Sequence, residues 1–246
     1  MVIYLYDGSF EGLLSAIHDA YYVMHPDYIS SDKTLQLQIG DTIVTIDTHD
    51  EKAKKVLTGI YEKLGVATFK YIYQSFLSEA PSIGFDIYQF LKYAFRKGPE
   101  AIDDLANVKV DPIRKASTSV MRETHLLVGL VRFKELTSGI FYASVAPKYQ
   151  SVTLLADHFA QRMNDQLWVI HDVKRSIAVI YDKDKWYVNK LASFEVEISE
   201  SEAMYQRFWK EYFETIAIKE RVNPRLQKNM MPKYYWDHLV EIGPNA

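Results

Sequence analysis

Apolar side chains recur along this chain at two periods, near 3.6 and near 2, and the switches between them predict its elements. Residues 2–6 are a β-branched and aromatic run that ends at Asp7-Gly8-Ser9, and Phe10, Leu13, Leu14, Ile17, Tyr21 and Met24 then fall on one helical face. The pattern reads strand, turn, helix. His25-Pro26-Asp27 ends that helix, because the residue before a proline is pushed out of the α region. Residues 35–39 and 42–46 alternate or are β-branched around Gly40-Asp41, which predicts a hairpin. Helical spacing returns at 51–64, stopped by Gly65, again at 69–77, and a third time at 87–95 before Gly98-Pro99.

A long helix is predicted from 108 to about 127, with Ile113, Val120 and Leu127 on its apolar side and Pro112 tolerated only in its first turn. Strands follow at 128–133 and 140–145 around Thr137-Ser138-Gly139. Leu154, Leu155, His158, Phe159, Arg162 and Met163 have helical spacing; the β runs 167–170 and 176–181 are joined by His171-Asp172-Val173-Lys174-Arg175, and residues 186–188 give a last strand. In the C-terminal quarter Ser199 and Glu202 make a capping-box pattern ahead of an aromatic stripe, Tyr205, Phe208, Trp209, Tyr212, Phe213 and Ile216, which Asn223-Pro224 interrupts. Helices with intervening antiparallel strands predict an α+β fold, helices packed on small antiparallel sheets. The break at Ala80-Pro81-Ser82 is the candidate boundary between an N-terminal α/β subdomain, 1–82, and a C-terminal α+β domain, 83–246.

Composition narrows the chemistry more than the fold. The 246 residues are 48% hydrophobic and 25% charged, enough for a sizeable core. A net charge of −3 removes any overall attraction to polyanions, so phosphate binding has to be local. There are no cysteines, which excludes disulfides, thiolate-held iron–sulfur clusters, zinc knuckles and cysteine nucleophiles within this chain, and no cofactor of its own is expected. No apolar run approaches the roughly 20 residues that span a bilayer. The N-terminal stretch lacks the marks of a secretory signal, so a cytoplasmic protein is the expectation.

Candidate sites are few. The turn at Gly8 has neither Gly-rich phosphate-loop pattern, and reads as a plain β–α connection. Asp47, His49, Asp50 and Glu51 could suggest a metal, yet helix-end chemistry explains them with less, and no metal is expected. His158, four residues from Arg162, and His125 are the candidate acid–base groups of an enzyme acting on a nucleotide or modified base. The strongest signal is basic and aromatic together: Arg221, Arg225, Lys228 and Lys233 with Tyr235 and Trp236, to which Arg162 and Arg175 add candidate phosphate ligands. For Arg175 the simpler reading is a turn-stabilising pair with Asp172. For the aromatic stripe at 205–216 it is burial in the protein's own core.

Three segments, YDGSFEGLLSAIHDAYY, HFAQRMNDQLWVIHDVKR and NPRLQKNMMPKYYW, resemble a bacterial family known only as "probable DNA metabolism proteins", over nearly the whole chain. In that family the gene typically neighbours one for a radical-SAM protein of DNA modification or repair, and related domains are fused to uracil-DNA-glycosylase-like domains. The resemblance implies a nucleic-acid-binding accessory protein, with DNA and the radical-SAM protein as partners and no membrane. It assigns no catalytic residue. A chain without thiols cannot be the cluster-bearing half of such a pair, which favours a non-catalytic role; a module that only docks the partner through its aromatic helix is the remaining alternative.

Overall fold

The computed structural model describes residues 1–36, 38–218 and 223–242. The protein is α+β, and the chain forms two compact units, Met1–Met121 and Arg122–Ala246. The break expected after Ser82 lies within the first unit, at the start of a helix.

In the first unit β1 (Val2–Leu5) is the middle strand of three, with β2 (Tyr28–Ser30) and β3 (Thr42–Thr45) on either side, both parallel to it. The hairpin expected at 35–46 does not form. Its second strand pairs instead with β1, from Val2–Thr42 to Leu5–Thr45, and no described residue of 35–39 is in a strand. The Asp41 carboxylate accepts from the Gln38 backbone N–H at 2.8 Å, closing a turn, and the Thr42 N–H donates to the Met1 carbonyl at 2.8 Å, which starts the parallel register. Parallel neighbours need a crossover. Between β1 and β2 it is α1 (Phe10–Tyr22), capped by Ser9, whose hydroxyl accepts from the Gly12 N–H at 2.9 Å.

The two helices predicted on either side of Gly65 run on from each other as α2 (Asp50–Phe76), broken at Gly65 with φ +80° and ψ 168°, a region open essentially to glycine. Next come α3 (Ile83–Lys97), a 3-10 turn at Pro99–Asp103, and α4 (Asp111–Leu130), with Pro112 in its first turn and its residues from Arg122 onward belonging to the second unit. Leu13, Ile17, Ile60, Ile72, Ile87 and Phe90 are almost wholly buried in this unit. Each such side chain contributes roughly 1.5–3 kcal/mol.

The second unit holds five strands in the order β4 (Lys134–Glu135), β5 (Phe141–Val145), β6 (Trp168–Asp172), β7 (Ile177–Tyr181) and β8 (Trp186–Lys190). All neighbours are antiparallel except β5 and β6, which are parallel and joined through a 3-10 turn at Val152–Leu155 and α5 (Ala156–Arg162). One sheet is therefore wholly parallel and the other mixed, which corrects the expectation of antiparallel sheets. The strand expected at 128–133 is replaced by the end of α4, because Leu127, Val128, Leu130 and Val131 continue the helix's apolar side into the core.

On one face of this sheet Leu127, Val145, Leu155, Phe159 and Ile170 surround Trp168. Trp168 is 0% exposed, stacks on Tyr181 at 5.2 Å between ring centroids, and its indole N–H has no partner among the described residues. The other face carries Leu136, Tyr142, Val169 and Ala178. Outside the sheet lie α6 (Glu200–Ile216), α7 (Pro224–Met230) and a 3-10 turn at Lys233–His238. Among the described residues no helix is long and apolar enough to cross a membrane.

Candidate functional site

The C-terminal elements and the loop beside them are fastened by three buried carboxylates of the second unit, Glu123, Asp172 and Glu241. Glu123, on α4, is 5% exposed and has four donors: the backbone N–H groups of Lys148 and Tyr149 at 2.8 and 2.9 Å, the Ser151 hydroxyl at 3.3 Å and the Tyr235 hydroxyl at 2.6 Å. A carboxylate out of water is tolerated when its lone pairs are filled in this way. Burial, then the neighbouring Glu123, pushes the Tyr235 phenol far above its ordinary value, so it remains the donor.

Tyr235 is thus a core residue, 2% exposed, and the stacking role expected of it is corrected. Its neighbour Tyr234 points outward, 48% exposed. Glu123 holds the backbone of Lys148 and Tyr149 beside Tyr235, and the consequence is an exposed cluster that no local pattern announces. The Lys148 ammonium lies 5.0 Å from the Tyr149 ring, and Tyr149 first, with Tyr234 adding to it, raises the Lys148 pKa. Lys233 lies 5.8 Å over the ring of Trp236, which is half-buried and spends its indole N–H on the Met231 carbonyl at 2.9 Å. Exposed ammonium groups and partly open rings alternate here, from Lys148 and Tyr149 through Lys233 and Tyr234 to Trp236.

Asn223-Pro224, expected only as a break, also starts a helix: the Asn223 side chain accepts from the Leu226 N–H at 3.0 Å and Pro224 takes the first position of α7. Arg225 and Lys228, three apart and hence on one side of α7, are exposed, with no acidic partner among the described residues. Leu226 and Met230 meet Phe213 and Ile216 of α6 across an apolar groove. Arg221 lies outside the described residues.

Among the described residues no hydrogen bond, ion pair or ring contact joins Arg162, His158 or His125 to this cluster, and Arg175 touches it at the Lys148 carbonyl. Arg175 donates to the buried Asp172 carboxylate at 2.9 Å and to the carbonyls of Pro147 and Lys148 at 3.1 and 2.9 Å, so its guanidinium fixes the β6–β7 turn to the preceding loop. The Asp172 carboxylate also accepts from the Lys174 and Arg175 N–H groups, and the simpler reading of this pair is the one found. Arg162 and His158 are exposed on α5, the His158 ring edge-on to Phe159 at 5.0 Å, and His125 is exposed on α4. No hydrogen bond or ion pair joins His158 to Arg162 among the described residues.

The third carboxylate, Glu241, receives Arg132 through Nε at 3.2 Å and Nη2 at 2.6 Å and the Trp209 indole N–H at 3.1 Å, with the Arg132 guanidinium 5.6 Å over the Trp209 ring. Burial raises the Glu241 pKa, but Arg132, a backbone N–H and the Trp209 indole together outweigh it, and the net value is below the ordinary one. This anchors α6 at Trp209, whose neighbours on the same aromatic stripe, Tyr205, Phe208, Tyr212 and Ile216, remain exposed, and no residue of α6 is buried. Core burial of the aromatic stripe is therefore not what the fold does: α6 is held at the β4 edge by polar contacts such as Glu135 N–H to the Glu202 carboxylate at 3.1 Å.

No curated protein and no solved structure matches this sequence. A family model described as a domain of unknown function, DUF4130, matches residues 81–241. That span holds α3 to α7, all five strands of the second sheet and the three buried carboxylates. The chain belongs to the DUF4130 family.

Proposed function

We propose that this protein binds nucleic acid through the exposed basic and aromatic cluster of its second unit, as the accessory partner of a radical-SAM protein that modifies or repairs DNA. The observation that carries the binding surface is the Glu123 carboxylate, which gathers Tyr235 and the Lys148–Tyr149 backbone and so sets Lys148, Tyr149 and Tyr234 side by side. Lys148, Lys233, Arg225 and Lys228 supply point charges for phosphates, and Tyr234 and Trp236 supply ring faces, a combination that suits single strands without sequence reading. The partner rests on the family resemblance and on the lack of thiols, which leaves the cluster chemistry to another chain.

Fluorescence anisotropy with a labelled single-stranded oligonucleotide tests the surface. Lys148→Glu with Lys233→Glu, and separately Arg225→Glu with Lys228→Glu, are expected to weaken binding by about tenfold or more, which is 1.4 kcal/mol. Unchanged affinity in both variants sinks the proposal.

A second reading is favoured by one observation, the uncovered aromatic side of α6. In it Tyr205, Phe208 and Tyr212 dock the radical-SAM protein. Co-purification of the two proteins with and without DNA separates the readings: capture that survives nuclease and is lost in Phe208→Glu supports docking, and capture that needs DNA supports tethering by the strand.

A further inference from the structure

We infer that a cavity in the first unit, walled by α1, α2 and α3, binds a nucleotide: an aromatic base carrying a phosphate. It has a volume of about 280 Å³ and is lined by His18, Tyr21 and Tyr22 of α1, Lys55 and Lys63 of α2, and Phe95 of α3. The inference uses residues of the first unit alone and stands independently of the nucleic-acid surface proposed above.

The walls are rings with fixed mutual geometry. Tyr21 meets Phe95 edge-on at 6.2 Å between centroids, and His18 lies against Tyr22 at 4.7 Å. Such surfaces take a planar π system by stacking or edge contact. The charges are of one sign. Lys55 and Lys63 are exposed at the cavity, neither has an acidic partner among the described residues, and no carboxylate is among the lining side chains. They stand eight positions apart, about 12 Å of backbone rise at 1.5 Å per residue, before the break at Gly65. That is roughly the distance from the phosphate of a mononucleotide to the far edge of its base. One ammonium can meet the phosphate while the other meets the acceptor edge of the base.

The carboxylate that His18 meets is already spent. Asp19 accepts from the Lys52 ammonium at 2.8 Å through Oδ2, and its Oδ1 lies 3.0 Å from His18 Nδ1. A carboxylate is an acceptor only, so His18 Nδ1 carries the proton toward Asp19, and Nε2 is the ring nitrogen left to meet a ligand. The chain Lys52–Asp19–His18 holds the imidazole in one orientation at the cavity wall. An apolar ligand would leave Lys55 and Lys63 idle, and inorganic phosphate would leave the rings idle; an aromatic anion of nucleotide size uses both.

Calorimetric titration of the full chain tests this with AMP, GMP, adenosine and inorganic phosphate as probes. At least one monophosphate is expected to bind with one-to-one stoichiometry, and adenosine and phosphate at least about tenfold more weakly. Tyr22→Ala and Lys63→Glu alter exposed side chains and should keep the wild-type circular dichroism and melting temperature while weakening the monophosphate about tenfold. A short oligonucleotide with a 5′-phosphate separates two sources of the same chemistry: tighter binding than AMP with the same sensitivity to the two variants identifies a strand end, and weaker binding identifies the free nucleotide. Absence of saturable binding by either monophosphate, phosphate binding as tight as AMP, or wild-type affinity in both folded variants overturns the inference. Loss of oligonucleotide binding in the second-unit variants leaves the mononucleotide titrations unchanged, and the 5′-phosphate oligonucleotide is titrated in the Lys148→Glu with Lys233→Glu background, so the two proposals fail separately.

Discussion

The Tyr235 hydroxyl donates to the Glu123 carboxylate at 2.6 Å, joining residues 112 positions apart and bringing the C-terminal turn onto α4. Tyr235→Phe keeps the ring in the core and removes one of the four donors. A hydrogen bond to a charged group is worth about 1.5–3 kcal/mol, and denaturant unfolding is expected to show a loss in that range. Ring removal in Tyr235→Ala adds a cavity and should cost about 3–5 kcal/mol. A variant as stable as wild type would mean that the tie contributes nothing.

Arg175 and Asp172 give the second prediction. Asp172 has no solvent contact and Arg175 is its only charged partner among the described ion pairs, so Arg175→Ala strands a buried carboxylate. The expected loss is about 3–5 kcal/mol by denaturant unfolding. Arg175→Lys should recover only part of it, because an ammonium cannot reproduce the fork that also reaches Pro147 and Lys148.

The Arg132–Glu241 pair predicts an acid limb in stability. The folded-state pKa of Glu241 is depressed, so the unfolded chain takes up the proton first as pH falls. Its contribution is complete above the unfolded carboxylate value, near 4.3, and is lost as pH falls below that toward the depressed folded value. Stability measured between about pH 6 and pH 3 should fall, and Glu241→Gln should flatten part of the slope. An identical slope in the variant would remove Glu241 from the cause.

Salt dependence reports on the proposed surface. Each cation withdrawn from the phosphates of a single strand lowers the slope of log affinity against log salt by about 0.7, so Lys148→Ala with Lys233→Ala should reduce it by about 1.4. Tyr234→Ala should weaken binding with the slope unchanged, since a stacking ring releases no counterion.

Gly65 supplies a prediction that depends on no neighbouring side chain. A Cβ built there meets nothing within 4 Å, so Gly65→Ala suffers only from its backbone angles. The expected cost is about 1–3 kcal/mol in the first unit, measured by thermal or denaturant unfolding.

Elements with sustained periodicity and clear punctuation were legible in the sequence: α1 behind the turn at Asp7-Gly8-Ser9, the helix stops at Gly65 and Gly98, the β6–β7 hairpin with its Asp172–Arg175 tie, and α6 behind Ser199. Partner choice was not. Gly40-Asp41 resembles a hairpin turn locally, but residues 42–45 find β1, and the three-residue β2 is too short to announce itself. Tyr234 and Tyr235 are chemically equivalent neighbours, and only Glu123, more than a hundred positions away, decides which goes inside. Lys148 and Tyr149 were visible as neighbours in the chain, but nothing local places them beside Tyr234. The cavity of the first unit was hidden for the same reason: His18, Lys55 and Phe95 share no stretch of chain and meet only when three helices come together.

Trp168 gives the second unit a fluorophore of its own. Its indole is buried against Tyr181 with no N–H partner among the described residues, whereas Trp186 and Trp209 are each more than a third open to solvent and Trp236 is half-buried. Of the emission that persists under iodide quenching, the short-wavelength part comes from this apolar site in the β-sheet core, and its red shift reports the loss of that core without any added label.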